Sequence, residues 1–170
     1  MRVESPFLGH GSSDLPGTIL CFSHLRWNFV YQRPQHLLSR AAQSRPVYFF
    51  EEPVHEDVDQ PRLDVSIQPE GVHVAVPVLP HGLSAPEAVR AQRELVDELV
   101  ATLPQGERVL WYYTPMALLF SRHLSADLRV YDNMDELSAF RGAPPRLLAL
   151  ERELFRRADV VFTGGQSLYE

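Results

Sequence analysis

The stretch TILCFSHLRWNFVYQRPQH, residues 18–36, decides the fold class. Thr18 to Ser23 is a short continuous apolar run, the pattern of a strand buried on both faces. From His24 to Arg33 the chain turns polar and aromatic, which reads as a long loop. Pro34 suits the first turn of a helix, because its missing N–H would have no partner there. Leu37, Leu38, Ala41 and Ala42 supply the buried stripe of that helix. A buried strand, a loop and an amphipathic helix in that order open a parallel α/β sheet.

Outward from this unit the same alternation returns. Val47-Tyr-Phe-Phe50 is a second buried run, ended by Glu51-Glu52-Pro53. Between Leu63 and Val78 the pattern becomes alternating, with Leu63, Val65 and Ile67 in one set and Val72, Val74 and Val76 in another. Pro69-Glu70-Gly71 between them predicts a hairpin, hence an antiparallel or edge pair. A helix is expected from about Pro86 to Leu103, with Val96, Leu99, Val100 and Leu103 on one face and Pro104 and Gly106 at its end. Val109 to Tyr113 is the next strand, followed by Thr114-Pro115 and a short helix. Leu128 to Tyr131 closes on Asp132-Asn-Met-Asp135-Glu136. A helix opening near Pro144 carries Leu147, Leu150, Leu154 and Ala158. Asp159 to Thr163 is the last strand, running into Gly164-Gly165. The expectation is a Rossmann-like, doubly wound and mainly parallel sheet with helices on both faces. Residues 1–17, rich in Gly, Ser and Pro, read as a loose lead-in, and residues 18–170 as one domain. Ser167-Leu-Tyr-Glu170 has the spacing of a capping box, so the chain is expected to continue into a further helix and domain.

Composition removes several functions. The chain has 170 residues, 45% of them hydrophobic, and a net charge of −6, so a nucleic acid is not an expected partner. All 16 basic residues are arginine. That excludes a P-loop lysine, a Schiff-base lysine and a Ser-Lys dyad within this chain. The single cysteine, Cys21, sits in an apolar run and reads as a buried small hydrophobe. No Cys cluster exists to hold zinc, and no metal site is expected. G-x-G-x-x-G and G-x-S-x-G are both missing, against a nicotinamide oxidoreductase and an α/β-hydrolase. No signal peptide or spanning stretch is visible, so the cytoplasm is expected.

The unusual residues gather at the predicted carboxyl ends of the strands, where open α/β sheets bind ligands. After the first strand come Ser23, His24, Arg26, Trp27, Asn28, Tyr31, Gln32, Arg33, Gln35 and His36. Aromatic rings here can stack on a sugar face, and the arginines can grip an anion near the helix start. Equally, Trp27, Phe29 and Tyr31 can fold inward as a lid, and His24 and His36 can be structural. Asp132 is the first choice for a catalytic carboxylate, with His24 as a second candidate; Asp135 and Glu136 read alternatively as caps of the following turn. Gly164 and Gly165 allow close approach of a phosphate, although a two-glycine turn is common.

FSHLRWNFVYQRPQHLLSR (Phe22 to Arg40), VYFFEEP (Val47 to Pro53), VYDNMDELSAFRGAPP (Val130 to Pro145) and ADVVFTGGQSLYE (Ala158 to Glu170) resemble bacterial GT-B glycosyltransferases, closest in character to family-4-like transferases of teichuronic acid and other cell-surface polysaccharides. The resemblance implies two Rossmann-like domains facing across a cleft, this one recognising the acceptor. The second would hold a nucleotide-diphosphate sugar as co-substrate, with no other cofactor and no metal in the centre. It implies transfer with retention of configuration. By matching positions, His24, Trp27, Gln32, Arg33 and His36 fall beside the cleft. Many relatives carry a His-Asp pair where this chain has Tyr131-Asp132, a departure at the proposed catalytic position. The implied partners are a sugar nucleotide, a saccharide or lipid-linked hydroxyl acceptor, and the donor-binding domain. A lipid-linked acceptor would bring the protein to the inner face of the cytoplasmic membrane. The isolated chain is expected to show no transferase activity. Two other readings stand beside this one: a GT-B-shaped nucleotide-sugar epimerase, and a non-catalytic carbohydrate- or protein-interaction module.

Overall fold

The computed structural model describes residues 17–134 and 145–164. Eight strands form one sheet: β1 (Thr18–Phe22), β2 (Val47–Phe50), β3 (Val54–Glu56), β4 (Arg62–Ile67), β5 (His73–Pro80), β6 (Arg108–Tyr112), β7 (Leu128–Asn133) and β8 (Val160–Thr163). β1 lies at the centre, parallel to β2 on one side and to β6 on the other. The chain builds outward from β1 through β2 to β5, then returns and builds outward again through β6, β7 and β8. The order therefore reverses between β1 and β6, which opens a crevice beyond their carboxyl ends.

The expected hairpin is present, with Gly71 at φ 87° in its turn. That positive φ is why a glycine stands there. Its two strands have different fates. β4 is the antiparallel edge, whereas β5 is interior, because β2 and β3 pair with successive parts of its other side. β3 was not foreseen: three residues, Val54-His-Glu56, carry no readable period. β7 also runs further than its apolar residues, since Asp132 pairs with Phe162 and Asn133 with Thr163. Asp132 is thus inside the strand rather than after it.

Helix α1 (Arg33–Ala41) covers one face of the sheet. Its Leu38 packs with Ile19, Cys21, Val47, Phe49 and Val74. The opposite face is covered by α2 (Ala85–Thr102), a 3-10 turn (Pro115–Ala117) running into α3 (Leu118–Ser121), and α4 (Leu147–Arg157). Leu20, Phe22, Leu110 and Tyr112 pack there against Val96, Leu99, Leu118 and Leu154. β1 and β6 therefore send alternate residues into two separate cores, and this is why their sequences show no polar face. α2 begins with a capping box: the Ser84 hydroxyl accepts the Glu87 N–H and the Glu87 carboxylate accepts the Ser84 N–H. α4 is tied to β7 through the Tyr131 hydroxyl, which donates to Glu151 Oε1 at 3.1 Å. Pro144, the expected opening of α4, lies outside the described residues.

Cys21 is fully buried under α1. Burial, with the negative charge of Asp132 adding to it, pushes the thiol well above its ordinary value. A thiol raised in this way stays protonated in the native chain while the unfolded chain ionises. Its contribution to stability is intact below the ordinary value of 9.0 and is lost as the pH rises past it. Ellman's reagent at about pH 8 is expected to find no thiol in the folded chain and one after denaturation.

Candidate functional site

The loop after β1 is built from inside outward. Ser23 is buried, and its hydroxyl accepts the Leu25 N–H at 3.0 Å. Arg26 then reaches across to the end of β2. Its guanidinium pairs with Glu51 Oε2 at 3.0 Å and donates to the carbonyls of Glu52 and Pro53. The other oxygen of the buried Glu51 accepts the Trp27 N–H at 2.7 Å. Trp27 is only 5% exposed, its ring edge-on to Phe49 at 5.0 Å. Gln35, one turn into α1, donates to the Trp27 carbonyl and accepts the Gln32 N–H. These bonds fix both ends of the loop, so the residues between them are presented in one conformation.

Of the three loop aromatics, Trp27 turns inward as an anchor. Phe29, 82% exposed, and Tyr31 point outward. The Tyr31 ring meets His36 edge-on at 4.6 Å. A concavity of about 400 Å³ lies between Trp27–Tyr31 and the β4–β5 turn at Gln68–Glu70.

Arg33 and Asp132, 99 residues apart, meet at the mouth of the crevice: the Nε–H donates to Asp132 Oδ2 at 3.0 Å. Asp132 is 0% exposed and Arg33 40%. Only the Nε–H is engaged, and the two terminal amino groups have no protein partner among the described residues. Asp132 and Tyr113 are buried side by side, and neither Asp132 Oδ1 nor the Tyr113 hydroxyl has a hydrogen-bond partner elsewhere among those residues. Burial drives the Tyr113 phenol far above its ordinary range. The geometry makes Asp132 a support that aims Arg33 outward. Its own carboxylate is enclosed.

On the other side of the sheet, at the same carboxyl ends, lies a cavity of about 400 Å³. Ser23, Glu51, Glu52 and Thr114 border it, all of them at strand ends. So do Gln92 of α2, His55 and Arg146, which sequence reasoning passed over. No motif marks them; the cavity exists because the start of α2 and the 3-10 turn stand apart. Burial pushes the Glu52 carboxyl up, with the Arg26 charge working the other way.

Of the remaining sequence candidates, His24 stands half-buried at the loop's start, while Gln32 and His36 are exposed. Gln32, Tyr31 and His36 do not reach the cavity beside α2. Asp135 and Gly165 lie outside the described residues. Gly164 abuts Met134: an added Cβ would sit 2.5 Å from the Met134 carbonyl oxygen. Gly164→Ala should therefore cost about 1–3 kcal/mol by forcing β7 and β8 apart, read as a lower urea midpoint. A loss below about 0.5 kcal/mol would refute the close approach. Among the described residues no three of His, Cys, Asp and Glu converge as metal ligands.

No family model and no curated protein matches the sequence. Among solved structures the chain is similar to an α,α-trehalose-phosphate synthase (UDP-forming) from Burkholderia xenovorans in complex with glucose-6-phosphate. Identity is 14% and the TM-score 0.52, over 85% of this chain and 39% of that one. It is similar also to an E. coli structure described as trehalose-6-phosphate bound with UDP-2-fluoro glucose, at 12% identity and TM-score 0.51, with the same 85% and 39% coverage. The chain thus spans about two-fifths of the length of these neighbours. At such identities the likeness is one of fold. The chain carries a doubly wound, Rossmann-like α/β fold of the kind found in GT-B glycosyltransferases.

Proposed function

We propose that this chain is the acceptor-side half of a GT-B glycosyltransferase. A second domain of the whole protein would hold a nucleotide-diphosphate sugar. The reaction moves a hexose-like unit onto the hydroxyl of a saccharide or lipid-linked acceptor, in cell-surface polysaccharide or glycolipid synthesis. On this reading the protein works in the cytoplasm or at the inner face of the cytoplasmic membrane. It needs no cofactor beyond the donor, and Asp132 acts through Arg33.

The observation that carries the reading is Arg33: a 40% exposed guanidinium held through its Nε–H by a buried carboxylate near the switch point, its two amino groups unengaged among the described residues. When the bond from the sugar to the diphosphate breaks, negative charge grows on the leaving oxygen. A preoriented cation is then the largest contribution this half can make. Arg26 is less suited, because Glu51 and two carbonyls already engage it.

The test uses the protein at its full natural length, incubated with UDP-, GDP- and ADP-sugars, with and without hydroxyl acceptors. Nucleoside diphosphate release that depends on acceptor is expected, and Arg33→Met should lower it at least about tenfold without unfolding the protein. Isomerised sugar nucleotide without acceptor would make the protein an epimerase. No turnover and no binding of any sugar nucleotide would leave a non-catalytic module.

A further inference from the structure

The cavity beside α2 has walls unlike those of a sugar site. Phe22, Phe50 and Phe120 form its base, their rings 5.6–5.8 Å apart and mutually tilted or edge-on. Val89, Met116 and Leu119 close the sides. A hexose carries several hydroxyls, each of which needs a partner once buried. The polar wall groups are partly engaged already, although each hydroxyl keeps a proton to donate. The Thr114 hydroxyl accepts the Met116 N–H, the Gln92 amide donates to the Ala88 carbonyl, and the Ser23 hydroxyl accepts the Leu25 N–H. Glu51 is held by Arg26 and Trp27. The charge balance is equally unhelpful to an anion, with Arg146 as the single guanidinium facing two carboxylates, Glu51 and Glu52, among the described lining residues.

Size fits a different guest. A dry cavity of about 150 Å³ holds one benzene ring, and ligand pockets begin at roughly 300 Å³. The volume here is about 400 Å³, room for a two-ring aromatic or a branched aliphatic group. We infer that this cavity binds an uncharged apolar portion of the acceptor, an aromatic or branched aliphatic alcohol, with its hydroxyl directed to the polar side formed by Ser23 and Glu52. This inference rests on the acceptor-side reading above and departs from it on the acceptor, an apolar alcohol in place of a saccharide. It sets the chain apart from its structural neighbour complexed with a sugar phosphate.

The experiment is calorimetric titration of this chain with 2-naphthol and geraniol as uncharged alcohols, and with glucose and glucose 6-phosphate. One alcohol per chain is expected to bind, without competition from either sugar. Ala85→Trp, which adds an indole to the cavity lining from an exposed helix position, should weaken binding about tenfold or more while the circular dichroism stays native. Leu119→Gln gives an independent check from the opposite wall. Glucose 6-phosphate or glucose binding in place of the alcohols, or no alcohol binding, or alcohol binding unaffected by both variants, would overturn the inference while the transferase reading stands. Alcohol binding by this chain with no glycoside formed from any sugar nucleotide by the full-length protein would overturn the transferase reading, and with it the guest's role as acceptor, while the apolar site itself stands.

Discussion

Phe22→Ala is expected to lower the stability of this chain by about 3–5 kcal/mol, the range for removing a fully buried aromatic ring. At roughly 2–4 °C per kcal/mol for a chain of this size, the melting temperature should fall by about 6–20 °C. The reason is position. Phe22 ends the central strand, 1% exposed, and its ring meets Tyr112 at 5.1 Å, Phe50 at 5.8 Å and Phe120 at 5.8 Å. No single neighbour can collapse into the vacancy, since β2, β6 and α3 each hold one of these rings in place. The lost ring also opens the floor of the cavity beside α2. Phe29→Ala is the matched control: the same atoms are removed from a residue that is 82% exposed, and the change should stay within about 0.5 kcal/mol. Urea unfolding followed by circular dichroism measures both. A Phe22→Ala loss below about 1.5 kcal/mol would mean that the core around β1 repacks, and that this cluster does not set the geometry of the crevice.

The contrast between these two phenylalanines marks what the sequence can and cannot tell. β1, β2 and β6 were legible because a strand buried on both faces needs apolar residues without interruption, and few other structures ask for that. The hairpin was legible through its alternation and Gly71. What escaped was set by partners rather than by local pattern. β3 exists because β5 offers it a free edge, and β7 extends through Asp132 and Asn133 because β8 pairs with them. Aspartate and asparagine are poor strand formers, so a chain-local reading stops at Tyr131. The candidate site shows the same division. The carboxyl ends were predictable, since loops there follow buried strands. Which side chain turns inward was not: Trp27 and Phe29 are two residues apart in one polar loop, and distant residues, Glu51 and Gln35 on the Trp27 backbone and Phe49 against its ring, decide between them. The cavity was invisible, because its walls are ordinary core residues and its volume is set by how far α2 stands from the 3-10 turn.

The Arg33–Asp132 pair gives the second large effect, and its sign pattern is informative. Arg33→Met leaves a fully buried carboxylate without its cation. Breaking a wholly buried pair costs about 3–5 kcal/mol, but Arg33 is 40% exposed, so water reaches the gap and about 2–3 kcal/mol is expected. Asp132→Asn keeps the shape and an acceptor for the Nε–H, and should cost about 1 kcal/mol. The double variant strands no charge. It should therefore be more stable than Arg33→Met alone, so that Asp132→Asn changes from destabilising to stabilising when Arg33 is absent. Costs that simply add would show that the two groups do not depend on each other, and Asp132 would lose its role as the support of Arg33. Arg33→Lys separates the two duties. An ammonium is a compact point charge, able to answer the buried carboxylate or to face the crevice, whereas a guanidinium does both through opposite edges. The expected result is stability close to the parent chain with turnover of the full-length protein still depressed. Stability and turnover returning together would instead reduce Arg33 to a charge that any cation can replace.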